Sequence, residues 1–299
     1  MERKEKFINW FILVILALIW GSSFILIKRG LRSFSSFQVA SLRVFITYLV
    51  LLPVSLKHLS RINRGNILSL IIIGVIGNAF PAFLYPAAQV RIDSTTAGML
   101  NSLTPVFTLL IGVLIYRRSA TWRQVTGIIL GLAGAAGLLY NKQFSFETAG
   151  ILIIIATFFY GISSNQVTRI KGINGLVITS LAFFFIGPVA GGSLLLSDFG
   201  PAMESQYWLR DLGFVAILAV MGSAFALALF NILIIRTSPV FAVTVTYLAP
   251  IISTLWGMAD GENITPFMII SVICILAGVY LANRMKRSKS VKAGIVNAA

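Results

Sequence analysis

The sequence predicts an all-α integral membrane protein with ten transmembrane helices, built from two inverted five-helix repeats. Three observations lead there. Of the 299 residues, 58% are hydrophobic and only 11% charged, whereas a soluble domain carries about a quarter of its residues charged. The apolar residues come in repeated runs of about 20, the length a helix needs to cross a hydrocarbon core of roughly 30 Å. One of these stretches also recurs 145 positions later in the chain.

The runs follow in order. The first, Ile8–Ile27, comes after Arg3, Lys4 and Lys6 and ends at Lys28-Arg29. It is too long for a signal-peptide core and lacks an A-x-A cleavage site, so it reads as a retained helix. Phe37–Leu56, Asn66–Gln89, Ser94–Tyr116 and Trp122–Tyr140 complete the first half, residues 1–145. Thr148–Thr168, Leu176–Leu196, Asp211–Ile235, Pro239–Met258 and Ile264–Asn283 form the second, residues 146–299, which ends in a basic tail. Runs three and four, and again eight and nine, are separated by only a few residues and must form tight helical hairpins.

Lys and Arg set the expected orientation. With both termini cytoplasmic, 17 of the 24 lie in inside segments and six outside, and Arg43 lies within a run. Lys28, Arg29 and Arg32 run against that rule. The formal charge of +15 is spread over short loops and the chain ends, as topogenic charge is, so no nucleic-acid partner is expected. The basic tail Arg284–Lys289 suits an anionic lipid surface. Cys274, the one cysteine, can form no intramolecular disulfide.

The internal repeat is the most informative feature. Gly77–Pro105 aligns without a gap onto Gly222–Pro250, matching Gly77/Gly222, Ala79/Ala224, Phe80/Phe225, Arg91/Arg236, Ala97/Ala242 and Pro105/Pro250. Leu132–Gly134 answers Leu276–Gly278, and Trp20-Gly21-Ser22-Ser23 echoes Tyr160-Gly161-Ile162-Ser163-Ser164. Five runs per half is an odd number, so the second half starts on the opposite side of the membrane and the repeats are inverted. That plan recurs in secondary transporters, whose exchangeable halves give two access states of similar energy.

With these residues in view, the chain resembles the EamA-type branch of the drug/metabolite transporter superfamily. The resemblance rests on the repeated five-helix unit, Trp20-Gly21, Arg43, the paired Pro105 and Pro250, and Gly261-Glu262 with Thr265. It implies ten helices around a central cavity, alternating access, export of amino acids, metabolites or drugs across the inner membrane, and no prosthetic group. Arg118 stands where the first repeat would carry the acid answering Glu262. That loop reads as peripheral.

Arg43 is the only charged residue well inside a run. A charge at the bilayer centre costs at least about 2.5–3.5 kcal/mol. It is either an anchor for a substrate carboxylate or a structural Arg that snorkels or ties down helix-end carbonyls. No Asp or Glu lies in a run core, which argues against carboxylate-based proton antiport and against a cation-efflux site. Trp20, Ser23, Asn78, Tyr85, Asn101 and Thr104 in the first half are candidate substrate-binding residues. So are Tyr160, Ser164, Asn165, Ser223, Asn231, Thr246 and Tyr247 in the second. Each could equally serve helix–helix hydrogen bonding or an interfacial aromatic belt. Pro81, Pro86, Pro105 and Pro250 are candidate hinges or static kinks. His58 stands alone, so no metal site or catalytic arrangement can be built, and no cofactor is expected.

The expected function is a carrier for small organic solutes, amino acids or metabolites. The alternatives are amphipathic-cation or drug efflux, a passive channel, or a membrane-embedded enzyme or receptor. The expected partners are the solute and the bilayer. The sequence leaves oligomeric state open, and a monomer is compatible with it.

Overall fold

The computed structural model describes residues 2–116, 121–139 and 148–283, and every regular element among them is helical. Arg118, Tyr140, Lys142 and the basic tail from Arg284 onward lie outside the described residues. Read through their local kinks, the helices are α1 Glu2–Gly30, α2 Ser36–Lys57, α3 Ile67–Gln89, α4 Ser94–Leu114 and α5 Trp122–Leu139 in the first half. In the second half they are α6 Ala149–Val167, α7 Gly175–Leu195, α8 Trp208–Arg236, α9 Pro239–Ala259 and α10 Pro266–Asn283. Eight of these are long and apolar enough to cross a membrane. The other two, α5 and α10, hold shorter apolar stretches, Val125–Leu138 and Pro266–Gly278.

Local chemistry sets the helix starts. Ser35 caps α2 in a reciprocal capping box with Gln38, and Asn174 and Ser238 accept the N3 amides of α7 and α9. Inside the bundle the helices are irregular at matched places. Wide π turns occupy Val75–Ala79 in α3 and Leu218–Phe225 in α8. Tight 3₁₀ turns occupy Asn101–Leu103 in α4 and Val243–Tyr247 in α9. The 145-residue shift brings each member of these pairs onto the other.

Such turns strand backbone carbonyls, which the bilayer cannot satisfy. Side chains do so instead. Asn78 donates to Ile73 O at 2.7 Å, Thr47 to Ala219 O at 3.1 Å, and Trp20 Nε1 to Gly222 O at 3.0 Å. Pro105 and Pro250 have no N–H for the carbonyls of Asn101 and Thr246. The hydroxyls of Thr104 (2.8 Å) and Ser102 (3.2 Å) take those instead. Pro81 and Pro105 each open a regular segment after an irregular turn, as does Pro250, whereas Pro86 sits inside one.

Packing repeats with the same symmetry. Helix α1 lies against α8 and α9, and its counterpart α6 lies against α3 and α4. Helices α2 and α7 pack on each other, as do α5 and α10. The correspondence reaches single residues. Gly77 abuts Ser163, and Gly222 abuts Ser23; Gly21 abuts Ile252, and Gly161 abuts the Phe107 backbone. Ring pairs Trp20–Phe230 (4.9 Å between centroids) and Tyr160–Tyr85 (6.0 Å) are likewise counterparts.

Glycine is required at the α5/α10 seam. A Cβ on Gly134 would lie 2.6 Å from Ser271 O, and one on Gly278 would lie 2.5 Å from Gly127 O. Both obstacles are backbone and cannot rotate away. Gly278→Val is therefore expected to cost about 2 kcal/mol through overpacking, seen as a lower thermal midpoint in detergent. Gly213→Ala, with nothing within 4 Å of the new Cβ, should leave the midpoint unchanged or raise it. Equal midpoints for Gly278→Val and the parent would refute the tight seam.

Candidate functional site

A central cavity with about 790 Å³ of open space lies between the halves. Its wall draws on α1, α2, α3, α4, α6, α8 and α9. Eleven of the predicted binding residues line it: Trp20, Ser23, Arg43, Asn78, Tyr85, Asn101, Thr104, Tyr160, Ser164, Asn231 and Thr246. Ser223 lines a side chamber of about 230 Å³, whose wall also includes Arg43, Asn78 and Tyr160.

Two predicted residues lie elsewhere. Asn165 is fully buried in the α4/α6 contact, where it donates to Thr108 O and Gly161 O, both at 2.9 Å. Tyr247 packs against the apolar cluster of α3, α4 and α6. None of the four prolines lines the cavity.

The wall also includes residues that carry no polar signal in the sequence, among them Phe24, Ile27, Ile73 and Leu227. Ser163 and Phe230 were reachable through the repeat, as counterparts of Ser23 and Tyr85.

Arg43 supplies the cavity's charge. Its side chain is buried, 8% exposed, and Nε donates to Ser223 Oγ at 2.8 Å. Among the described residues no carboxylate lies within ion-pair distance of it, and neither chamber has an acidic residue in its wall. The Tyr160 hydroxyl also hydrogen-bonds the guanidinium, and Tyr85 lies close enough to interact with its charge.

The hydroxyls around it are polarised by their own helices. Ser23 donates to Ile19 O (2.9 Å), Ser164 to Tyr160 O (2.7 Å), Thr104 to Asn101 O (2.8 Å) and Thr246 to Val243 O (2.8 Å). Each proton is spent on a backbone carbonyl, so each oxygen offers the cavity its remaining lone pairs. Tyr85 Oη donates to Asn101 Oδ1 at 2.6 Å, and Asn231 to Thr179 Oγ1 at 2.9 Å. The cavity thus pairs one permanent cation with a set of neutral acceptors, between aromatic faces.

At the end of the bundle where α1 terminates, charges join the halves. Lys28 Nζ lies 2.9 Å from Asp260 and 2.8 Å from Glu262, and Arg29 also pairs with Asp260. Arg32 is 3.6 Å from the same Asp260 oxygen that Arg29 holds. Glu262, 2% exposed at its side chain, accepts both N–H and O–H from Ser94 and from Thr95 at the start of α4. The Glu262 loop thus ties α1, α4 and α9 together, while the first-repeat loop at Arg118, read as peripheral, lies outside the described residues. The Glu262 loop also gives Lys28, Arg29 and Arg32 their partners. Burial pushes the Glu262 carboxyl up, but Lys28, Ser94 and Thr95 outweigh it and hold the group down at about 2. Among the described residues no cluster of His, Cys, Asp or Glu could hold a metal ion.

The model of the EamA-like transporter family matches residues 8–140 and again 148–284. The chain is 27% identical to the uncharacterized inner membrane transporter YedA of Escherichia coli (strain K12), over 89% of this chain and 90% of that protein. It is 23% identical to the uncharacterized transporter YcxC of Bacillus subtilis (strain 168), over 99% of both. A probable terminal-alkyne amino-acid exporter of Streptantibioticus cattleyicolor is 22% identical over 91% of this chain and 92% of its own length. A crystal structure sharing 19% identity superposes with a TM-score of 0.61, covering 92% of this chain and 96% of that one, and so shares its fold.

Proposed function

The chain belongs to the EamA-like transporter family, and from that premise we propose that it carries small zwitterionic metabolites, amino acids first among them, by alternating access through the central cavity. The observation that carries the reading is Arg43: a buried guanidinium in the cavity wall with no carboxylate near it among the described residues. A substrate carboxylate supplies the missing charge and fits the guanidinium fork. The lone pairs of Ser23, Ser164, Thr104 and Thr246 receive the ammonium, and the paired rings Trp20–Phe230 and Tyr85–Tyr160 cover the side chain. The exporter from Streptantibioticus, whose name specifies an amino acid, supports the same class.

In this reading each repeat is a functional half, divided between residues 145 and 146. The matched π and 3₁₀ turns are where α3, α4, α8 and α9 flex, and Pro81, Pro86, Pro105 and Pro250 keep those turns from regularising. The protein sits in an inner membrane, as YedA's name indicates for its relative, with both termini cytoplasmic. Efflux of amphipathic cations fits poorly, because the cavity's one fixed charge is positive.

The test is uptake of radiolabelled amino acids into proteoliposomes without an ion gradient, with and without the same solute preloaded. Saturable uptake that preloading accelerates is expected. An absence of uptake for every amino acid, with transport of lipophilic cations under a pH gradient, would overturn the reading in favour of drug efflux. Uptake that preloading leaves unchanged would indicate a channel.

A further inference from the structure

We infer that Arg43 and the side chamber behind it form a binding site for a small inorganic anion of chloride type, which the substrate carboxylate displaces. The displacement step rests on the proposed carboxylate reading; the anion site itself does not.

The argument begins with charge. A guanidinium cannot shed its proton at any physiological pH, and an isolated ion in a low-dielectric interior is costly unless it is paired and hydrogen-bonded. Arg43 is buried in the middle of the bundle. One donor of its fork goes to Ser223, and no carboxylate among the described residues neutralises it. During any period without substrate, a mobile anion can supply the countercharge that no described carboxylate provides.

The chamber suits such an ion. Its wall of Arg43, Val44, Asn78, Ala82, Tyr160, Phe183, Ser223 and Leu227 contains no acidic side chain. Its polar groups include hydroxyls that can donate: Ser223, which accepts from Arg43 and keeps its own proton free to point inward, and Tyr160. Ser223 is 1% exposed and Asn78 9%, so these groups are screened from bulk water. The chamber is small, with room for about one water-sized or monatomic group, and it shares Arg43, Asn78 and Tyr160 with the wall of the central cavity. The repeat also shows that the charge is not inherited from folding symmetry. By the alignment of the caps at Ser35 and Asn174, the counterpart of Arg43 in α7 is Ala182, and the mate of its partner Ser223 is Asn78. The anion site exists on one half only.

The site is tested on the purified full-length protein in detergent by its thermal midpoint, as chloride replaces isethionate at constant ionic strength and a fixed cation. A bound ion raises the midpoint saturably. Wild type is expected to show a saturable rise. Arg43→Gln should lose it, Ser223→Ala should need several-fold more chloride, and Arg43→Lys, which keeps the charge, should retain a response at higher chloride. The Lys and Ala variants keep the test decisive if the Gln variant fails to fold. An identical rise in wild type and Arg43→Gln would mark a general salt effect and overturn the inference, as would no chloride-specific rise in wild type. Chloride binding without amino-acid transport would leave the anion site standing and sink the substrate reading. Transport whose apparent KM ignores chloride would remove the displacement step. A competitive, several-fold increase in KM would support it.

Discussion

Arg43→Gln is expected to reduce amino-acid uptake in proteoliposomes about 100-fold at sub-saturating substrate, without loss of folded protein. A charge-assisted hydrogen bond contributes about 1.5–3 kcal/mol, and a bidentate guanidinium–carboxylate pair has two of them. Losing roughly 3 kcal/mol of binding is a loss of about two orders of magnitude in affinity. Arg43→Lys keeps the charge but not the fork, so an intermediate loss of about tenfold is expected. The two readings of this residue separate on stability. If Arg43 serves the fold, its removal lowers the thermal midpoint. If it waits for a substrate, removing an unneutralised buried charge leaves the midpoint in chloride-free medium unchanged or raises it. Glutamine with unaltered KM would end the carboxylate-anchor reading.

Glu262→Gln is expected to loosen the end of the bundle where α1 terminates. The charge of Glu262 is held by Lys28, and its two oxygens accept four bonds from Ser94 and Thr95. An amide cannot accept all of these, and it leaves Lys28 with Asp260 alone. A cost of about 1.5–3 kcal/mol corresponds to an opening equilibrium raised roughly tenfold or more. It can be measured with Thr246→Cys in a Cys274→Ser background, labelled by an impermeant maleimide from that side. Labelling should accelerate about tenfold in Glu262→Gln.

The pH dependence follows from the depressed carboxyl, near 2 against an ordinary value of 4.5. The stabilisation is complete above pH 4.5 and is lost as pH falls through 2. The ratio of labelling rates, variant over parent, in which the thiolate fraction cancels, should therefore be flat from pH 8 to 5 and fall toward one only in acid below 4.5. Neighbouring Asp93, pushed up by burial and by the Glu262 charge, takes up its proton earlier on acidification. A strong change in that ratio between pH 8 and 6 would exclude Glu262 as the controlling group.

Among the described residues, the opposite end has a cation–π counterpart. The repeat places Arg169 and Tyr116 where Arg29 and Asp260 stand, and the Arg169 guanidinium lies 4.7 Å over the Tyr116 ring. A cation–π contact contributes about 0.5–2 kcal/mol, less than the several charged bonds across the bundle.

The fold class was legible because run length and odd repeat number are properties of the chain alone. Twenty apolar residues can do little but cross a bilayer, and an odd number of runs per half implies an inverted second half. The polar candidates were legible for a related reason: Asn, Ser, Thr and Arg are costly in hydrocarbon, so their presence in an apolar run already says that something polar faces them. What faces them is a matter of helix rotation and tilt, which one-dimensional spacing does not encode. Packing alone separated Asn165, spent on the α4/α6 contact, from Ser164 beside it in the cavity wall. Packing alone also turned Arg43 inward to Ser223 instead of toward an interface, and it brought Glu262 from a loop between α9 and α10 onto the first turn of α4. These partners lie some 170 to 180 residues apart, and charge pairing at that separation is decided only when the two halves close on each other.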